Sequence, residues 1–172
     1  MSESLISIII PVFNGEKFLG RCFSTLKKQS YPNLEIIFVD NNSIDGSRDK
    51  INQYCSKYEN YCLLDCSKPG PGAARNKGIE NAEGEYISFL DVDDEIHPRK
   101  HDLLIEVFNK YPSAAMAIGR TKKIYSNGEE FLLPLGTLNV GLNHFPFTGF
   151  LWLQQFHNNP HEYIFVFAYR LA

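Results

Sequence analysis

The chain has 172 residues, 44% of them hydrophobic and 22% charged, with a formal net charge of -3. These values suit one globular domain with its own hydrophobic core, and they exclude the broad basic surface that a nucleic-acid partner needs. The start, Met1 to Ser4, has neither a basic n-region nor an apolar h-region, so no secretory signal is expected and the location predicted is cytoplasmic, with the inner face of the membrane as its variant.

Leu5 to Val12 is an apolar run rich in Ile, with Ser7 its one polar residue. It predicts a strand buried on both faces, as parallel strands are. Phe13-Asn14-Gly15 is a turn, and Phe18, Leu19, Cys22, Phe23 and Leu26 then recur at helical spacing in a helix from Glu16 to Gln29, closed by Tyr31-Pro32-Asn33. Leu34 to Val39 is a second buried strand, ending in Asp40-Asn41-Asn42-Ser43. Ser43 or Asp45 is placed to cap a helix from Gly46 to Tyr58. Tyr61 to Leu64 reads as a short strand, Ser67 to Gly72 as a loop, Ala73 to Asn81 as a helix and Glu85 to Leu90 as a fourth strand. A helix from near Pro98 to Lys110 and a strand from Ala114 to Arg120 follow. Asn127-Gly128 between two short runs is a hairpin signal. The last part of the chain is aromatic and less regular, with a helix expected near Gly149 to Phe156 and a strand near Tyr163 to Tyr169.

Strands alternating with helices predict an α/β fold, a mostly parallel sheet with helices on both faces, a small hairpin and an aromatic C-terminal segment. Ligands of such sheets bind at the carboxyl ends of the strands, so the ends of strands one, two and four are expected to share one rim. Four cysteines, Cys22, Cys55, Cys62 and Cys66, form no CxxC pair and read as separate thiols. The five histidines form no ligand set.

The run Asp91-Val92-Asp93-Asp94-Glu95 puts four carboxylates in five positions. Such acids repel one another unless a cation sits among them. The Asp-x-Asp spacing at the end of the fourth strand points Asp91 and Asp93 the same way, because strand side chains alternate. Paired carboxylates are hard ligands suited to Mg²⁺ or Mn²⁺, which keep open positions for phosphate oxygens. Gly70 to Gly78 places glycines before a helix and Arg75 and Lys77 in its first turns, a moderate phosphate signal. Asp40, taken alone, reads first as an Asx turn or helix cap and second as an acceptor for the N–H and hydroxyl groups of a nucleoside. Phe147, Phe150, Trp152 and Phe156 read as buried packing before they read as a sugar platform. That segment is too short to span a bilayer, and its exposure would favour peripheral membrane association or a homo-oligomer.

Four motifs in order, SIIIPVFN, VDNNSIDGS, GPGAARNKG and GEYISFLDVDDE, resemble the family 2 glycosyltransferases of the GT-A fold over roughly residues 5 to 125. The resemblance implies one GT-A-like domain over 1–172 and a nucleoside-diphosphate-sugar donor, such as a UDP-sugar. Pro11, Val12 and Phe13 would line the base pocket, Asp40 would meet the base, and Arg75 would lie near the nucleotide. Asp91 and Val92 would sit by the ribose or sugar, and Asp93, with Asp91, would hold Mn²⁺ or Mg²⁺. Sugar transfer with inversion to a saccharide or lipid-linked acceptor in cell-surface polysaccharide synthesis follows. The family often carries Asp-Asp where this chain has Asp40-Asn41. Its general base lies in a later motif, which here is expected to begin about Ala172, and Glu162 is not assigned to it. A non-catalytic nucleotide-sugar-binding module is the alternative. A phosphotransferase or nucleotidyltransferase ranks third, because its motifs would belong to strand one.

Overall fold

The computed structural model describes residues 4–114, 116–118, 122–125, 127–132 and 167–170. They comprise β1 (Ile6–Val12), α1 (Glu16–Lys27), β2 (Leu34–Asp40), α2 (Ser47–Cys55), β3 (Tyr61–Asp65), α3 (Pro71–Glu80), β4 (Tyr86–Phe89), α4 (Lys100–Lys110), β5 (Met116–Ile118), β6 (Lys122–Ile124), β7 (Glu130–Leu132) and β8 (Phe167–Arg170). The main sheet has the order β3-β2-β1-β4-β8-β5. β1 pairs in parallel with β2 and β4, and β2 with β3, while β8 runs antiparallel to β4. The α/β, mostly parallel architecture read from the sequence is therefore the one observed.

Ile6, Ile8, Ile10 and Val12 turn to one face of β1, where they join Leu19, Cys22 and Leu26 of α1, Ile51 of α2, and Leu104 and Phe108 of α4 in one buried cluster. On the other face Ile9 lies against Gly78 of α3, whose missing side chain lets helix and strand approach. Helices thus cover both faces, and β1 is apolar but for the buried Ser7, whose Oγ accepts the Gly84 N–H at 2.8 Å, because it has no solvent side. Residues Met1–Ala117 and Phe167–Ala172 form one compact unit and Ile118–Val166 a second. Within the second, β6 and β7 make the expected antiparallel hairpin, with the Gly128 N–H donating to the Tyr125 carbonyl at 2.9 Å.

Several boundaries moved. α1 stops at Lys27, where the Gln29 N–H turns back three residues to the Leu26 carbonyl at 3.2 Å and closes the last turn. α2 starts at Ser47 and stops at Cys55, short of Tyr58. Ser43 caps no helix: it accepts the Asn14 N–H, whereas Asp45 accepts the Ser47 N–H at 3.0 Å. α3 begins two residues early, at Pro71, behind Gly70 with φ 109, a conformation only glycine adopts freely. α4 begins at Lys100, beyond Pro98. The four cysteines are free thiols. The helix expected near Gly149 to Phe156 and the aromatic platform lie outside the described residues, as does Glu162. Among the described residues no helix is long and apolar enough to cross a membrane.

Candidate functional site

The strand order changes direction between β1 and β4: the chain steps from β1 outward to β2 and β3, then crosses back to β4 on the other side of β1. Such a switch point opens a crevice at the carboxyl ends of the strands. Val12 is in register with Asp40, and Asp40 with Asp65, so the ends of β1, β2 and β3 form one row. β4 ends lower, where Phe89 faces Ile9. The chain then climbs to the same edge, and a side chain built on Gly15 would meet Val92 at 3.0 Å and Val12 at 3.2 Å. The acidic run and the β1–α1 turn therefore touch.

The turns after β1 and β2 are laced together. Asn14 and Asn42 are both left-handed, with φ 48 and 65, which asparagine tolerates better than most residues. The Gly15 N–H donates to Ser47 Oγ at 2.9 Å and the Glu16 N–H to Asp45 at 3.1 Å, while Glu16 accepts the Gly46 N–H at 2.9 Å. Side chains of one turn thus satisfy the free N–H groups at the start of α1.

Asp40 is only 4% exposed, yet its Oδ1 has no hydrogen-bond partner among the described residues. Its Oδ2 lies 3.9 Å from the Arg48 guanidinium, which is held by Asp65. A buried carboxylate oxygen left unpaired is costly, so this one is suited to a donor N–H from a ligand. Asn41 serves a different end. Its amide donates to the carbonyls of Cys66 at 2.8 Å and Lys68 at 2.7 Å, and accepts the Gly70 N–H at 2.8 Å. It moors the loop that enters α3. One turn into α3, Arg75 is buried and donates to Asp91 Oδ1 at 2.6 Å.

Asp91 and Asp93 do not prolong a strand. β4 stops at Phe89, and the Asp94 N–H bonds the Asp91 carbonyl at 3.0 Å, so the acids ride a turn. Strand alternation is therefore not what orients them. Asp91 is tied to Arg75, Val92 is buried, and Asp93 is exposed. Val12 is buried in the core, its carbonyl taken by the Asn41 N–H at 2.8 Å, while Pro11 is partly exposed and Phe13 is 64% exposed at the rim.

Sequence reading missed Asp94 as part of the site. Burial raises its pKa to about 7, helped by the charges of Asp91 and Asp93, and its Oδ2 has no hydrogen-bond partner among the described residues. Behind it burial lowers the Lys100 pKa to about 7. Lys100 Nζ donates to Ser88 Oγ at 3.2 Å; that oxygen also lies 3.2 Å from His101 Nε2, and His101 Nδ1 lies 2.8 Å from Gln29 Oε1. The tautomer with hydrogen on Nδ1 satisfies all three contacts. No signal in the sequence distinguished these polar residues from an ordinary amphipathic helix.

Hard carboxylate oxygens on a turn, one exposed and one buried without a partner, fit a small divalent cation that is held by one or two protein carboxylates and completed by ligand phosphate. Among the described residues no group of three or more His, Cys, Asp and Glu side chains is gathered for a metal, so the chain offers part of a coordination shell there.

Fold and rim define an α/β protein of the GT-A type. The sequence profile of glycosyl transferase family 2 matches residues 7–172, and the chain belongs to that family. It is 40% identical over 129 residues to the poly(ribitol-phosphate) beta-glucosyltransferase of Bacillus spizizenii, covering 72% of this chain and 20% of that protein. It is 38% identical over 98 residues to the putative glycosyltransferase EpsH of Bacillus subtilis, covering 57% of this chain and 28% of that one. Among solved structures, S. aureus TarS 1–349 in complex with UDP matches with a TM-score of 0.58 and 28% identity, over 63% of this chain and 33% of that chain. The mannosyltransferase PcManGT of Pyrobaculum calidifontis, in complex with GDP-Man and Mn²⁺, shares the fold at a TM-score of 0.60 and 20% identity, over 67% of this chain and 35% of that one. The chain spans 20% to 38% of the length of the first curated relatives it matches.

Proposed function

We propose that this chain forms the donor-binding part of a glycosyltransferase that takes sugar from a nucleoside diphosphate, in the first place UDP. The observation that carries the reading is the unpaired, buried Oδ1 of Asp40 on the same rim as the Arg75–Asp91 pair and the exposed Asp93. Asp40 accepts an N–H of the base, and Phe13 offers an apolar edge for it. Arg75, fixed by Asp91, holds positive charge near the nucleotide. Asp93, supported by Asp91, would hold Mn²⁺ or Mg²⁺, which when bound supplies positive charge against the departing diphosphate. The TarS complexes with UDP and UDP-GlcNAc support a uridine donor. The Bacillus spizizenii relative, named for a poly(ribitol-phosphate) acceptor, supports a saccharide or lipid-linked acceptor in cell-surface polymer synthesis. Inversion at the anomeric carbon and action at the cytoplasmic membrane face complete the proposal.

Calorimetric titration with UDP tests it. With Mn²⁺ present, Asp93→Ala is expected to weaken binding by roughly ten-fold or more, and Asp40→Asn to weaken it with or without metal, since a charged hydrogen bond contributes about 1.5–3 kcal/mol. A wild-type chain that binds no UDP, or an Asp93→Ala variant with the wild-type Mn²⁺ dependence, refutes the assignment.

A further inference from the structure

The segment from Asp91 to Arg99 that carries the acids belongs to no helix or strand, so its shape must be set from outside. Its internal ties are few: the Asp94 N–H to the Asp91 carbonyl at 3.0 Å, the Arg99 N–H to His97 Nδ1 at 3.2 Å, and the Lys100 N–H to the His97 carbonyl at 2.9 Å. Most of its other backbone bonds go to one source. Arg21, Thr25 and Gln29 stand four residues apart, on one face of α1 and its continuation. The Arg21 guanidinium donates to the Asp93 carbonyl and pairs with Glu95 at 3.5 Å. Thr25 Oγ1 donates to the Ile96 carbonyl and accepts the Ile96 N–H, both at 3.0 Å. Gln29 Nε2 donates to the His97 carbonyl at 3.2 Å, and the Ser30 N–H to the Pro98 carbonyl at 3.0 Å.

Thr25 is the centre of this row. It is buried, and its one hydroxyl answers both backbone groups of Ile96. Ile96 sits three residues past Asp93 and is itself in the core. A displacement there travels directly along the chain to the acidic turn, because no regular hydrogen-bond ladder intervenes to absorb it.

We infer that the polar stripe Arg21–Thr25–Gln29 is the device that positions the Asp91–Asp93 turn against the donor diphosphate, with Thr25 as its principal positioning residue. The inference rests on the donor-site reading above. It assigns to α1, a helix without a ligand-facing role in that reading, control over how well the acids present their oxygens.

The test uses Thr25→Val, which keeps the side chain's shape and removes the hydroxyl, and Thr25→Ser, which restores it. Two quantities are read on the whole chain: amide hydrogen exchange of the ligand-free protein, and the ratio of UDP affinities with and without Mn²⁺. In Thr25→Val the amides of Asp94 and Ile96 are expected to exchange roughly ten-fold faster while those of β1 and β2 are unchanged. The Mn²⁺ enhancement of UDP binding is expected to fall by roughly ten-fold, as when the support of a metal ligand is removed, with metal-free affinity retained. Thr25→Ser is expected to return both to near wild type. Unchanged exchange at Asp94 and Ile96 overturns the inference whatever the ligand does. So does a Thr25→Val chain whose UDP affinity drops equally with and without Mn²⁺, since that marks general loosening. If the wild-type chain binds no UDP, the donor-site reading fails and takes the diphosphate role of the stripe with it, while the exchange result still decides whether α1 sets the turn.

Discussion

Asn41→Asp is the sharpest perturbation of the rim. The two side chains have nearly the same shape. In this chain Asn41 is 6% exposed and its Nδ2 feeds two carbonyls, Cys66 at 2.8 Å and Lys68 at 2.7 Å. A carboxylate donates to neither. Losing the donor to the buried Cys66 carbonyl costs about 1–3 kcal/mol, and the part-buried Lys68 carbonyl, which also accepts from Cys66 Sγ at 3.4 Å, adds less, so the change is expected to destabilise by about 2–4 kcal/mol near pH 7, a large part of the stability of an ordinary domain. The acceptor bond from the Gly70 N–H survives. The introduced acid is buried against carbonyl oxygens, so its folded pKa lies above its unfolded value. By linkage the folded chain then binds more protons, and the deficit shrinks as the pH falls through that folded pKa toward about 4. Urea denaturation followed by circular dichroism at about pH 7 and pH 5 reads both effects. Asn42→Asp is the control: Asn42 gives one exposed bond, to the Ser67 carbonyl at 3.1 Å, and the change is expected to cost under about 1 kcal/mol. An Asn41→Asp chain within about 0.5 kcal/mol of wild type at neutral pH would refute the role given to the amide.

Two further outcomes follow from the packing. A Cβ at Gly78 would lie 2.4 Å from Ile9 Cγ2, so Gly78→Ala is expected to destabilise by about 1–2 kcal/mol: overpacking of about 1–3 kcal/mol is partly offset by up to about 1 kcal/mol of helix propensity. Equilibrium unfolding checks this, and an Ile9→Ala background should shrink the penalty; an additive pair would show that helix and strand do not meet there. Burial holds the His101 pKa well below 6.5, helped by the neighbouring Lys100 charge. The folded chain therefore keeps this ring neutral, and its contribution is full above the unfolded pKa and lost as the pH falls below it. Relative to His101→Gln, the wild type should lose about 2 kcal/mol more between about pH 7 and pH 5. Asp94 acts in the opposite sense, its raised pKa making the chain less stable as pH rises from 3.8 toward about 7, so the comparison with the variant, not the wild-type slope alone, is the reading that decides.

Periodicity and punctuation determined the local elements. The Ile-rich run from Ile6 to Val12, buried at six of its seven positions, reads as a strand covered on both faces, and Asn127-Gly128 could hardly be other than a hairpin turn. The four motifs in order also marked the family, because their residue types are local in the chain. Tertiary structure alone decided what those residues touch. That β8 enters beside β4, that Asn41 moors the loop before α3, that Arg75 pairs with Asp91, and that the polar side of α1 grips the acidic turn all join residues 16 to more than 80 positions apart. Sequence spacing carries no record of such meetings, for they arise when burial folds distant segments together and every buried N–H and C=O must then find a partner.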